Sequence, residues 1–314
     1  MKTVILDAFA VNPGDLSWDW LKEYGEVSVN ERTLQGETLE KCLDADVVFT
    51  NKTPLRQELI EKLPKLKYIG VLATGYNVVD VDYCHKRGII VTNIPAYSTD
   101  AVAQLTFSLM TAHTNHVYEH AAAVREGQWA KCPDFTFHIT PLSELAGKTM
   151  GIIGFGRIGK QVARIANAYN MKVLVKTNHP GVETDVEFVQ TDELLDRSDF
   201  VSLHCPLTPN TQNLVNEEFL SKMKKSAMLI NTSRGAVIDE KALYEALLNK
   251  KIAAAGLDVL CSEPPESDNP LFTLENCYIT PHIAWAGFET RERLMEICKE
   301  NMRAFVNGRA LNRV

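Results

Sequence analysis

Met150-Gly151-Ile152-Ile153-Gly154-Phe155-Gly156-Arg157-Ile158-Gly159, followed by KQVARIANAYN at 160–170, is the stretch that decides the fold. A short apolar strand runs into G-x-G-x-x-G, and the residues behind it repeat with helical periodicity. Gly154 permits a tight turn, Gly156 lets a pyrophosphate approach the backbone, and Gly159 lets the helix pack closely on the strand. The N–H groups of Arg157, Ile158 and Gly159 open the helix, where donors and the positive dipole end favour phosphate. The segment reads as a dinucleotide-binding turn.

Outward from that turn the strand-like runs continue: KVLVK (172–176), DFVSLHCP (199–206), AMLINTS (227–233), AAAGLDV (253–259) and YITPHIA (278–284). With MGIIGFG they give six strand candidates separated by helical stretches, a β-α rhythm that implies a doubly wound parallel sheet. Upstream, VILDAF, DVVFTN, YIGVLATG and IIVTNI repeat the rhythm between Val4 and Ile94. Between the two regions, Asp100 to Glu126 contains no Gly or Pro and reads as one long helix capped by Thr99 or Asp100. The chain is therefore expected to be α/β with two domains.

Composition narrows the class. The 314 residues are 45% hydrophobic and 23% charged, a globular balance, and 33 Lys and Arg against 40 Asp and Glu give a net charge of −7. Without a concentrated basic surface, nucleic acid is not an expected partner. Apolar runs fall short of the roughly 18 residues a membrane helix needs, so no membrane association is expected. Seven cysteines form no C-x-x-C pair, which argues against a disulfide framework or zinc ribbon and for a reducing, cytoplasmic setting. His113, His116 and His120 share one face of the long helix, with 116 and 120 at i, i+4, yet no acidic third ligand recurs in register, and no metal site is expected.

Three residues follow the last strands of the second region. Arg234 comes after AMLINTS, Glu263 lies in LDVLCSEPPESDNPLF, and His282 follows Pro281 at a strand end. Ligands of open α/β sheets bind at the carboxyl ends of strands. There a cation can grip a carboxylate and polarise a carbonyl, and a histidine oriented by a carboxylate can deliver a proton.

With GFGRIGKQVA, HCPLTPNT, LINTSRGAVIDEKAL, GLDVLCSEPP and TPHIAW, the chain resembles the D-2-hydroxyacid dehydrogenases over essentially its whole length. The resemblance implies a Rossmann dinucleotide-binding domain, residues 100–285, inserted into a smaller flavodoxin-like α/β substrate domain made of 1–99 and 286–314. It assigns catalysis to Arg234, Glu263 and His282. It implies that the backbone of Ala73, Thr74 and Gly75 holds the substrate carboxylate, with Asn51 lining the same pocket. Thr232 and Ser233 would border the nicotinamide, Asp258 would accept from its carboxamide, and Pro206 with Thr211 would flank the adenine side.

The resemblance further implies NAD as cofactor, a small 2-keto or 2-hydroxy acid as substrate and a homodimer formed through the apolar stretch Ala101 to Met110. Within the family, VLATGYN and PHIAWAGFETRERL are most similar to members that reduce hydroxypyruvate to D-glycerate, with glyoxylate secondary. Phosphoglycerate oxidation and a dinucleotide-sensing corepressor are the alternatives. The acid usual at the end of the second strand is missing: Lys176-Thr177-Asn178-His179 stands there, with Thr177 in its place, so NADP is admitted beside NAD.

Overall fold

The computed structural model describes residues 1–34 and 36–314. The chain divides into two compact units, Met1–Tyr97 with Ala286–Val314, and Ser98–Trp285.

The first unit holds a five-stranded, wholly parallel sheet: β1 (Lys2–Ile5), β2 (Glu26–Val29), β3 (Val47–Thr50), β4 (Tyr68–Val71) and β5 (Ile90–Thr92), in the order β2-β1-β3-β4-β5. That is the flavodoxin-like order, with its switch point between β1 and β3. Every residue of β3 and β4 is buried, as expected of parallel strands covered on both faces. Val4, Val48, Ile69, Val71 and Val91 form one core with Ile60 and Leu63. Fully burying a Leu or Ile contributes about 1.5–3 kcal/mol. The helix Phe288–Val306 returns to this unit, where Phe305 meets Tyr68 ring to ring at 4.7 Å. At the far edge, Thr92 forms an antiparallel bridge with Arg313, and the Val314 N–H donates to the Val91 carbonyl.

The second unit holds seven parallel strands: β6 (Thr149–Ile153), β7 (Lys172–Lys176), β8 (Glu187–Phe188), β9 (Phe200–Leu203), β10 (Met228–Asn231), β11 (Ala254–Leu257) and β12 (Cys277–Ile279). Their order, β12-β11-β10-β9-β6-β7-β8, reverses direction between β6 and β9. β9, β10 and β11 are buried throughout, and two apolar clusters pack the sheet.

The long helix expected from Asp100 to Glu126 is two helices, Thr99–Asn115 and Val117–Arg125, with Ser98 rather than Thr99 or Asp100 at the N-cap position. His116 breaks it, lying in the left-handed region at φ 46° and ψ 42° while its N–H donates to the Ala112 carbonyl. A left-handed residue with such a bond is an ordinary helix stop, and it is tolerated without glycine where a polar side chain finds local bonds. Val102, Ala103, Phe107, Leu109 and Met110 are buried, and the last four belong to this unit's own core. The stretch expected to face a second subunit is therefore used internally.

Candidate active site

At the turn after β6, Gly154 adopts φ +94° and packs so tightly on the end of β9 that a Cβ there would lie 2.6 Å from the His204 carbonyl. At Gly159 a Cβ would strike the carbonyl oxygen of Gly154. A Cβ on Gly156 would meet nothing within 4 Å, which leaves open space over the backbone where a pyrophosphate has to lie. Arg157 and Ile158 begin the helix Arg157–Ala168, whose N-terminus has no side-chain cap among the described residues. The first backbone donors are thus available to an anion, and the residues present fit a dinucleotide.

Around this cradle, Thr177 follows β7 and its hydroxyl accepts from the His179 N–H at 3.2 Å, while Lys176 donates to Gln190 at 3.0 Å. Pro206 and Thr211 lie in the exposed loop after β9. The Thr211 hydroxyl donates to the Pro206 carbonyl at 2.6 Å and accepts from the Thr208 N–H at 2.7 Å, which fixes that loop's turn. His204, one residue beyond β9, is pushed down to about 4 by burial, and its Nε2 lies 2.9 Å from the Ser202 hydroxyl.

Three neighbouring strands, β10, β11 and β12, deliver the catalytic candidates at one edge. After β10, Asn231 shapes the turn: its Oδ1 accepts from the Ser233 N–H and hydroxyl, and its Nδ2 donates to the Arg234 carbonyl at 2.8 Å. Thr232 is buried, with its hydroxyl 3.4 Å from that of Thr106. Arg234 is exposed, its Nη1 donates to the Ser233 carbonyl at 2.7 Å, and it forms no ion pair among the described residues. Gly235 seats the turn on Leu260, whose backbone a Cβ would strike.

After β11, Asp258 is only 1% exposed. Its Oδ1 accepts from the Thr280 hydroxyl at 2.6 Å and the Ile283 N–H at 2.8 Å, and its Oδ2 from the Ala284 N–H at 2.8 Å. Burial raises its pKa, and these bonds offset part of the rise. Expected to accept from a carboxamide, Asp258 is engaged on both oxygens in fixing the segment that carries His282.

His282 itself sits at φ 54°, a strained value for a non-glycine residue, and its N–H donates to the Thr280 carbonyl. Its Nδ1 lies 2.7 Å from Glu263 Oε2, and Glu263 Oε1 accepts from the Leu260 N–H. The structure therefore brings His282 and Glu263 into contact, with Arg234 on the adjoining strand end and hydrogen-bonded to neither. A carboxylate on Nδ1 leaves Nε2 free to exchange a proton with a ligand.

In the first unit, Ala73, Thr74 and Gly75 follow β4. Asn51, expected to line the pocket, is 4% exposed and donates its Nδ2 to the Leu72 carbonyl at 2.6 Å, immediately ahead of that turn. Asp7, two residues beyond β1, accepts from the backbone N–H groups of Asn51, Lys52 and Thr53 at 2.7, 2.5 and 2.8 Å. From the other side, Asn93 donates to the Thr74 carbonyl at 2.8 Å and Asn301 donates to the Asn93 carbonyl at 2.9 Å. Nothing in the sequence pattern singles out Asp7, Asn93 or Asn301 for this role, and Asn231 is marked only by its turn, preceding T-S-R-G.

Among the described residues no group of three or more His, Cys, Asp or Glu is placed to hold a metal, and no helix is long and apolar enough to cross a membrane. His120 donates from Nδ1 to the His116 carbonyl and accepts at Nε2 from the Ile139 N–H, so both ring nitrogens serve the fold.

Residues 107–284 match the NAD-binding domain of the D-isomer specific 2-hydroxyacid dehydrogenases. The chain belongs to this family and carries its NAD-binding domain. It is 47% identical to a hydroxypyruvate reductase of Blautia hydrogenotrophica, with 99% of each chain covered. A glycerate dehydrogenase of Methylorubrum extorquens is 38% identical, covering 99% of this chain and 98% of the relative. Among solved structures, an acyclic imino acid reductase in complex with NADPH and D-Arg superposes with a TM-score of 0.87 at 35% identity, covering all of both chains.

Proposed function

We propose that the protein reduces small 2-keto acids, hydroxypyruvate first and glyoxylate second, to the D-2-hydroxy acids, with His282 as proton donor. The observation that carries this reading is the 2.7 Å bond between His282 Nδ1 and Glu263 Oε2 at the edge where Arg234 also emerges. The cofactor supplies the hydride to the carbonyl carbon. Arg234 grips the carboxylate in a planar two-point fashion and draws charge onto the carbonyl oxygen. His282, oriented through its Nδ1 by Glu263, donates its Nε2 proton to the developing alkoxide. In the first unit, taken by itself, the N–H groups of Ala73, Thr74 and Gly75 make a nest suited to a carboxylate, and Asn51 orients that turn. In the second unit, Gly154, Gly156 and Gly159 with Arg157 and Ile158 hold the pyrophosphate.

Both NADH and NADPH serve, because Thr177 carries no charge to repel a 2′-phosphate and no arginine stands beside it for a strong grip. Discrimination in kcat/KM stays below about a hundredfold, or about 2.7 kcal/mol. A homodimer forms through the segment 117–142, where Val117, Tyr118, Trp129, Phe135, Ile139 and Leu142 are all more than half exposed. Seven unpaired thiols accord with a cytoplasmic setting. A panel of keto acids assayed with both cofactors tests the function: rapid cofactor oxidation on hydroxypyruvate is expected, and binding without turnover on every keto acid would overturn it. Light scattering at micromolar concentration tests the dimer.

A further inference from the structure

Residues Cys261 to Pro270 form a loop that is solvent-exposed at every position but Asn269, and it carries Glu263. A catalytic bond of 2.7 Å cannot be held by a loop free to wander, so something must fix its ends. At the near end the Cys261 N–H donates to Glu240 Oε1 at 2.5 Å. At the far end Asn269 Nδ2 donates to Glu240 Oε2 at 3.2 Å, while Asn269 Oδ1 caps the turn that follows through the Leu271 N–H. One carboxylate thus closes a loop of nine residues from both sides. Glu240 is itself rigidly mounted: it is the first residue of the helix Glu240–Leu248, whose N-cap Asp239 accepts from Lys241 and Ala242.

Two adjacent N–H groups face two carboxylates, Leu260 donating to Glu263 and Cys261 to Glu240. The geometry points to Glu240 as a positioning residue for the proton-transfer pair: it holds the 261–269 loop so that Glu263 meets His282. Charge-assisted bonds to both ends of an otherwise exposed loop are the strong kind, and they restrict it where few other contacts do. This inference rests on the proposal that His282 and Glu263 transfer the proton.

The test is a double-mutant cycle on the full chain, with NADH binding by fluorescence and thermal melting measured in parallel. Glu240→Ala should lower kcat for hydroxypyruvate about tenfold or more and leave the NADH dissociation constant within twofold. Glu263→Gln should move the alkaline limb of kcat to lower pH, because a neutral partner no longer favours a charged acid beside it, and Glu240→Ala should move it the same way. In the Glu263→Gln background the same change should cost less than twofold. Glu240→Gln, which keeps one amide oxygen for the Cys261 N–H, should recover much of the loss, and Asn269→Ala, which releases one end only, serves if Glu240→Ala fails to fold. Equal losses in both backgrounds, or full activity of Glu240→Ala or of the folded substitute, would overturn the positioning role. If Glu263→Gln lowers kcat and Glu240→Ala does not, the inference alone fails; if Glu263→Gln leaves kcat and its pH profile unchanged, the inference and the proton-transfer reading fail together.

Discussion

Asp7 in the first unit and Asp258 in the second do the same thing in different settings. Each is a carboxylate at or just past the carboxyl end of a parallel strand, at most 9% exposed, and each accepts backbone N–H groups from a neighbouring strand's loop. Asp7 steadies the segment Asn51–Thr53, and through Asn51 the turn holding Ala73 to Gly75. Asp258 steadies Ile283 and Ala284, and with them His282. On the proposed function the loops they support differ in kind: the first would offer backbone donors to a substrate carboxylate, the second carries the His282 side chain. The same structural device would then serve affinity in one unit and turnover in the other.

That contrast is broken most severely by removing the reactive group. His282→Ala should lower kcat by about 10² to 10⁴ while NADH still binds, as loss of a positioned acid does. A folded variant within tenfold of wild type would sink its role. Arg234→Lys, which cannot reproduce a planar two-point grip, should raise KM for the keto acid and lower kcat together, by about tenfold or more each. A change confined to cofactor KM would move Arg234 into the dinucleotide site.

The two carboxylates can be given the same substitution. Asp7→Asn should raise KM for the keto acid about tenfold with kcat little changed, whereas Asp258→Asn should lower kcat by about the same factor, because an amide replaces one acceptor oxygen with a donor facing N–H groups. Steady-state kinetics that show the same KM and kcat pattern for both variants would erase the distinction.

The smallest effect concerns His204 and is one of stability. Its folded pKa of about 4 lies below the ordinary value of 6.5, so it is neutral in the folded chain while the unfolded chain takes up a proton. The stability this confers is fully present above pH 6.5 and is lost as pH falls from 6.5 toward 4. Relative to His204→Asn, the wild type should lose about 2 kcal/mol over that window in denaturant titrations. Parallel pH dependence of the two proteins would show that His204 does not titrate this way.

The sequence disclosed elements whose residues are specialised and hid those that are generic. β1, β3, β4, β6, β7 and β9 to β11 lie inside their sheets and are apolar runs because burial on both faces requires it, while the edge strands β5 and β12 are legible from the short apolar runs they keep. The two strands left unread, Glu26–Val29 and Glu187–Phe188, lie at sheet edges, where solvent on one side removes the apolar signal and pairing length is short. Arg234, Glu263 and His282 were legible because they stand in motifs at strand ends. Asp7, Glu240 and Asn301 act by hydrogen-bonding backbone or amide groups far along the chain, at separations of 44, 21 and 208 positions, and spacing in the sequence carries no trace of such a bond. The stop at His116 escaped notice for a related reason: it depends on one backbone conformation rather than on a glycine or proline.

The antiparallel return of Arg313 and Val314 along β5 bears on the colloidal behaviour of the protein. An open edge strand is a row of unpaired donors and acceptors that can template pairing with another chain. At the other edge β2 is four residues long and begins with Glu26, which makes it a poor template. At the β5 edge the guard is the pairing of Arg313 and Val314, so disrupting it would leave Arg234, Glu263 and His282 in place and create a surface on which copies could stack into aggregates.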